Sequence, residues 1–343
     1  MLVCPTDPIL KIIINTHVDD GGVILTWRTK YDEVLYKLNQ RYPGTLDEST
    51  MDRYLGMGFH FNSQTGALTA TMLHSVTKLL ATACTEALSP QPTPHTLDLF
   101  HPSTDTTPVD PKTYQQIVGM MIYLLKVRSD IHLPVIMAAT HNAAPTQGDL
   151  TKLIRILAYL KATPDLGPTF HTRGGAILVA HCDAAFAVHT STGGSHFSIS
   201  LSIGEDSAPY HVISRAQTTK ISLNPTHSEY SCASLATELV KFDRTFCDWI
   251  LLPQSAPTVI KTDSAPSIAT ALAPNFPRHS KNLLVEYHNV REAIAADIIR
   301  PVHVLSKGFM ADLNAKPTGT ADFIAKRSLL LNVAANPTFV KYL

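Results

Sequence analysis

Four acids fall where a fold could gather them: Asp183, Glu229, Asp263 and Asp312. Asp183 and Asp263 each follow a short apolar run, AILVAH over 176–181 and TVIKT over 258–262, so each is expected at a strand end. Glu229 is expected in the first turn of a long helix over 226–248, and Asp312 in a final short helix that begins at 310. Three or four carboxylates brought together repel one another unless cations neutralise them. An all-oxygen set favours magnesium or manganese. Two such ions about 3.5–4 Å apart activate a water and stabilise a leaving oxygen. Taken singly, each acid reads more simply as a turn former or a helix-start residue.

A second acidic feature is Asp19-Asp20, between β-rich runs in ILKIIINTHVDDGGVILT over 9–26. Strand, tight turn, strand is the natural reading, with two adjacent carboxylates at the tip. Such a pair is commonly a turn, and a polymerase palm uses one to hold metal. Other chemistries find little support. The sixteen histidines are scattered, with no HExxH or HxH spacing. The five cysteines, Cys4, Cys84, Cys182, Cys232 and Cys247, include no CxxC pair, which speaks against a disulfide scaffold or a structural zinc site. Neither a Walker A sequence nor GxGxxG is present.

The elements that must position these acids follow from periodicity. Helices are expected over 28–41, 73–86, 113–127 and 147–162, and short strands over 53–61 and 67–71. Residues 89–111, SPQPTPHTLDLFHPSTDTTPVDP, read as an extended linker or loop because proline fixes φ and removes a donor. From 176 the pattern becomes strand, strand, strand, helix, strand, helix, helix, strand, helix. A mixed sheet with helices on its faces is expected. Within it, 195–203 alternates His196, Ser198, Ser200 and Ser202 with Phe197, Ile199, Leu201 and Ile203, the mark of a half-buried strand. Asn224 or Thr226 would cap the long helix.

With 343 residues, 45% hydrophobic and 16% charged, the chain has ample material for a core and two or three domains. A formal net charge of zero argues against a generally basic, nucleic-acid-coating protein, although a local positive groove remains compatible with it. No stretch reaches the roughly 18 apolar residues of a membrane span. No membrane association and an intracellular setting, cytoplasmic or nuclear, are therefore expected.

Read in order, the motifs resemble the C-terminal region of a copia-type retrotransposon polyprotein, over nearly the whole length. His17-Val18-Asp19-Asp20 resembles the YVDD reverse-transcriptase motif, and Tyr54-Leu55-Gly56-Met57 the YLG segment after it. Tyr114, Val118-Gly119 and Met121-Ile122-Tyr123-Leu124 match a helical YxxxVGxLMYL stretch. Arg128-Ser129-Asp130-Ile131 matches RPDI, and Tyr159-Leu160-Lys161-Ala162-Thr163 falls in the RVLRYLKGT region. Cys182-Asp183-Ala184-Ala185-Phe186 resembles SDADW, Ser191-Thr192-Gly193-Gly194 STSG, and Thr226-His227-Ser228-Glu229-Tyr230 TEAEY with His227 replacing an acid. Thr262-Asp263-Ser264 matches the DN segment, and Ala311-Asp312-Leu313-Asn314-Ala315-Lys316-Pro317 matches ADxxTKP. The KHIDI segment departs, as Lys281-Asn282-Leu283-Leu284-Val285.

The resemblance implies a ribonuclease H-like α+β domain over 172–320. Ahead of it would lie a truncated palm remnant (1–88), a proline-rich linker (89–112) and a helical thumb-like segment (113–165), with a tail over 321–343. It implies that Asp183, Glu229, Asp263 and Asp312 hold two Mg2+ (or Mn2+) and hydrolyse the RNA strand of an RNA–DNA hybrid, with other polyprotein-derived chains as further partners. The alternative is an inactive remnant that binds nucleic acid or protein. Because the chain starts just ahead of the Asp19-Asp20 motif, that metal pair is expected to be vestigial. Reverse transcription would need fingers and palm from elsewhere.

Overall fold

A computed structural model describes residues 2–3, 11–17, 20–25, 28–41, 52–171, 175–217, 221–250, 252–273 and 283–333. Strands β1 (Leu2–Val3), β2 (Lys11–His17) and β3 (Asp20–Leu25) form an antiparallel sheet, in which His17 pairs with Asp20. The hairpin reading of 9–26 thus has its two strands. Val18 and Asp19 lie outside the described residues, so the vestigial metal pair rests on sequence alone. Helix α1 (Arg28–Arg41) follows.

Strands β4 (Arg53–Tyr54), β5 (Met57–Asn62) and β6 (Ala67–Thr71) form a meander, which β7 (Thr169–Phe170) extends along β6. Helices α2 (Leu73–Thr82), α3 (Pro111–Leu124), α4 (His132–Ala139) and α5 (Gln147–Ala162) pack beside it. Asp110 caps α3 through the backbone N–H groups of Lys112 and Thr113, and Pro111 sits where its missing donor costs nothing. Thr146 and Asp149 close a capping box on α5. One apolar core joins Ala70, Val76 and Leu79 to Val118, Met121, Leu153 and Leu160.

The proline-rich segment does not separate one core from another, as a domain linker would. It is laid along α5. Within it, the Gln91 N–H donates to the Ala158 carbonyl, Arg155 to the Thr93 hydroxyl, and Lys152 to the carbonyls of Leu99 and His101. Prolines keep the segment out of helix and sheet, and Lys152 of α5 satisfies two of its carbonyls instead.

The third sheet positions the acids. Strands β8 (Leu178–His189), β9 (Gly194–Ile203), β10 (His211–Ala216), β11 (Thr258–Thr262) and β12 (Ile299–His303) lie in the order β10-β9-β8-β11-β12. The first three are antiparallel, and β11 and β12 run parallel to β8. The β8–β9 connection turns at Gly193, whose φ of +67° is a conformation that side chains resist. Helices α6 (Pro225–Trp249), α7 (Ala265–Leu272) and α8 (Leu284–Ala295) enclose a second core of Leu178, Ala180, Cys182, Ile199, Leu201, Tyr230, Val240, Ile260 and Tyr287. This is the mixed sheet with flanking helices expected from the strand and helix order.

Three local expectations are corrected. Ser198, Ser200 and Ser202 are each about 1% exposed, so β9 is buried on both faces. The second face is covered by α9 (Asp312–Ala315), which comes from a distant stretch of the chain, while α4 packs on the neighbouring β10. Asp183 lies within β8, not at its end, because pairing with β9 continues to Ala185↔His196. Residues from 321, read as a tail, form most of α10 (Thr320–Leu330), whose Phe323 and Leu330 enter the first core. No helix among the described residues is long and apolar enough to cross a membrane.

Candidate metal centre

Asp183, Asp263 and Asp312 come together. One carboxylate oxygen from each lies within 4.8 Å of the other two. The strand period places Asp183 on the serine face of β8, opposite Ser198, while its neighbours Cys182 and Ala184 enter the core under α6. Asp263 directly follows β11, which runs parallel to β8, so both chains deliver an acid toward the same end of the sheet. Asp312 opens α9, which packs across β8 and β9.

Each carboxylate has its own support. Ser306 donates to Asp263 Oδ2 at 2.6 Å and fixes its orientation. Lys326 Nζ lies 2.7 Å from Asp312 Oδ2 and 2.7 Å from Asp322 Oδ2. Lys316 Nζ lies 2.6 Å from Asp312 Oδ1 and 3.6 Å from Asp183 Oδ2. Asp183 is 1% exposed, and no donor is within hydrogen-bond reach of its Oδ2.

The electrostatics follow from burial and crowding. Two full charges near 5 Å repel by roughly 3 kcal/mol at an effective dielectric of about 20. Burial, reinforced by Asp312 and Asp263 against the pull of Lys316, pushes the Asp183 carboxyl up to about 7. Asp312 goes the other way. Burial raises it, but hydrogen bonds from Lys316 and Lys326 outweigh that and hold it below the usual carboxylate range.

Glu229 stands beside the trio and is not one of its members. It falls in the second turn of α6, not the first, because the helix begins at Pro225 under an Asn224 cap that accepts from the His227 N–H at 3.0 Å. Its Oε2 is buried without a partner. Burial first, then the charge of Asp183, pushes its carboxyl up to about 10. A deprotonated Glu229 is thus costly until a cation faces it.

Sequence reasoning did not single out Lys316, Lys326 or Ser306. The Asp312–Lys316 spacing of four residues was the available signal for the first. Lys281 and Asn282, at the departure from KHIDI, lie outside the described residues.

The acids are carried by a mixed five-stranded sheet with helices on its faces. The relatives of the chain are retrovirus-related Pol polyproteins of copia-type transposons. The polyprotein of transposon RE1 from Arabidopsis thaliana is 27% identical over 330 residues, covering 91% of this chain and 21% of that protein. The polyprotein of transposon RE2 from the same plant is 29% identical over 224 residues, 62% of this chain and 14% of that protein. An uncharacterized mitochondrial protein of Arabidopsis thaliana is 33% identical over 103 residues, 30% of this chain and 43% of that protein. The chain therefore spans about a fifth of the RE1 polyprotein and less than half of the other two. No protein-family model matches.

Among solved structures, a ribonuclease H1 isolated from compost by a metagenomic approach is similar at 11% identity and a TM-score of 0.31, over 40% of this chain and 91% of that one. The foamy viral protease–reverse transcriptase in complex with RNA/DNA hybrid is similar at 14% identity and a TM-score of 0.47, over 89% of this chain and 37% of that one.

Proposed function

We propose that this chain hydrolyses the RNA strand of RNA–DNA hybrids through a two-metal centre held by Asp183, Asp263 and Asp312, with Glu229 at its edge. The observation that carries the reading is the convergence of one carboxylate oxygen from each of Asp183, Asp263 and Asp312 within 4.8 Å. The donor set suits a hard divalent cation. It is all oxygen, it is crowded, and it includes the buried Oδ2 of Asp183 and Oε2 of Glu229 without hydrogen-bond donors. When bound, Mg2+ or Mn2+ would supply activation of a water and stabilisation of the leaving 3′ oxygen.

The rest falls to the protein. Asp183, rigid within β8, fixes the centre. Ser306 keeps the Asp263 carboxylate turned, and Lys326 holds one oxygen of Asp312 so that the other faces Asp183. Recognition of the hybrid is read as shape and 2′-hydroxyl contacts, consistent with a chain that carries no net charge. We further propose that 172–320 is the nuclease unit and 113–165 the thumb-like segment.

A second reading, an inactive nucleic-acid-binding remnant, draws on Lys316, whose ammonium already balances Asp312 and Asp183. Cleavage of a labelled hybrid in Mg2+ or Mn2+ separates the two. Cleavage abolished by Asp183→Asn supports the nuclease. A wild-type protein that binds the hybrid without cutting it supports the remnant.

A further inference from the structure

Two lysines reach the acidic trio, and they are built differently. Lys326 has a side chain 6% exposed, lies on α10 and is clamped between Asp312 and Asp322. It is a permanent partner. Lys316 has a side chain 42% exposed, whereas the two carboxylates it faces are 1% and 4% exposed. Its side chain is half-exposed, and its head is among buried acids.

Lys316 also marks the end of α9. Its backbone N–H donates to the carbonyl of Asp312 at 3.0 Å, which anchors the main chain independently of the side chain. The head makes a close ion pair with Asp312 Oδ1 and only a looser one, at 3.6 Å, with Asp183 Oδ2. Those two oxygens face the same ammonium. A divalent ion bridging Asp183 and Asp312 would need the room and the charge balance that Lys316 now supplies. An ammonium left within a few ångströms of such an ion would be repelled by it.

We propose that Lys316 is a tethered, displaceable counter-ion. Its ammonium holds the acidic trio together in the metal-free protein and must swing into solvent when a divalent ion enters, so it sets the affinity of the centre by competition. The proposal rests on the reading of the trio as a metal centre, and goes beyond it by assigning metal affinity to a residue that is not a ligand.

The test is Mn2+ binding to the full chain, followed by the spin-resonance signal of free Mn2+, with thermal unfolding in parallel. Lys316→Met is expected to bind Mn2+ about tenfold more tightly than wild type or better. It should be less stable than wild type without metal and gain more in melting temperature when Mn2+ is added. Lys316→Arg, which keeps the charge, should stay close to wild type. Should Lys316→Met fail to fold without metal, Lys316→Gln takes its place in the same titration.

Equal or weaker Mn2+ binding by the neutral variant overturns the proposal. So does tightening by Lys316→Arg as large as that by Lys316→Met, since shape and not charge would then govern affinity. If wild-type binding is lost in Asp183→Asn while Lys316→Met changes nothing, the metal centre stands and the counter-ion role falls. If neither wild type nor Lys316→Met binds Mn2+, both fall together.

Discussion

The thiol of Cys232 donates to the backbone carbonyl of Asp183 at 3.3 Å. This contact fastens α6 to β8 directly beneath the acidic centre. Cys232 lies three residues after Glu229, so both fall on the side of α6 that meets β8. With Cys232 fully buried, nothing larger fits without pushing the helix away. Cys232→Leu is expected to cost about 1–3 kcal/mol in denaturant unfolding. It should also slow hybrid cleavage without altering the acids themselves. Cys232→Ala, which leaves room, should keep most of the activity.

Glu229 should trade stability for function. Its folded carboxyl titrates near 10, far above an ordinary glutamate, so the metal-free protein bears a growing cost as pH rises above about 4.5. Glu229→Gln is expected to stabilise the metal-free protein at neutral pH by on the order of 1–3 kcal/mol. The gain should vanish below about pH 4.5, where the native glutamate is neutral in both states, and cleavage should fall sharply at every pH. Melting curves of the two proteins across pH measure this directly. A destabilised variant at neutral pH would show that Glu229 is already compensated.

Four histidines, three of them buried and His132 partly so, make the fold acid-labile. Burial pushes His95 and His132 down to about 4, and His181 and His196 down to about 3. Between these values and about 6.5 the unfolded chain binds protons that the folded chain refuses. Stability is therefore full above about 6.5 and lost as pH falls. Asp183 and Glu229 contribute the opposite slope over the same window, because their folded carboxyls hold protons that the unfolded ones release. Four groups against two leave a net loss of about 2–3 kcal/mol per pH unit near pH 5. Chemical unfolding at pH 7 and pH 5 checks the sign. Equal or greater stability at pH 5 would contradict it.

The Arg128–Asp130 pair carries a structural prediction. Both side chains are fully buried. Arg128 donates to both oxygens of Asp130 and to the Thr163 carbonyl, while Tyr159 donates to Asp130 at 2.5 Å. Asp130→Ala leaves a guanidinium uncompensated in the core and should cost about 3–5 kcal/mol. Metal affinity of the folded fraction should not change. Denaturant midpoints together with Mn2+ titration separate the two effects.

How much of this was legible depended on whether a signal was local. The helix over 147–162 and the strand over 258–262 were legible from periodicity, and the structure gives those bounds. The Arg128–Asp130 motif was visible as a match, but its burial and bidentate geometry were not, since Thr163 and Tyr159 arrive from α5 and its end. The alternation in 195–203 was read correctly as a strand and incorrectly as half-buried. Its serine face is covered by α9, and no feature of 195–203 announces that cover. Three of the four acids proved to share one place. What was missed is the balance of their charge, because Lys316 and Lys326 look like ordinary surface lysines until the fold brings them in.

The measurement closest to the central claim is cleavage of a hybrid with the RNA and the DNA strand end-labelled in turn, by wild type and by Asp183→Asn, in Mg2+ and in Mn2+. The account predicts metal-dependent cuts within the RNA strand and none in the DNA strand, with a loss of at least about a hundredfold in the variant. An uncut hybrid under both metals, or cutting that survives Asp183→Asn undiminished, would contradict it.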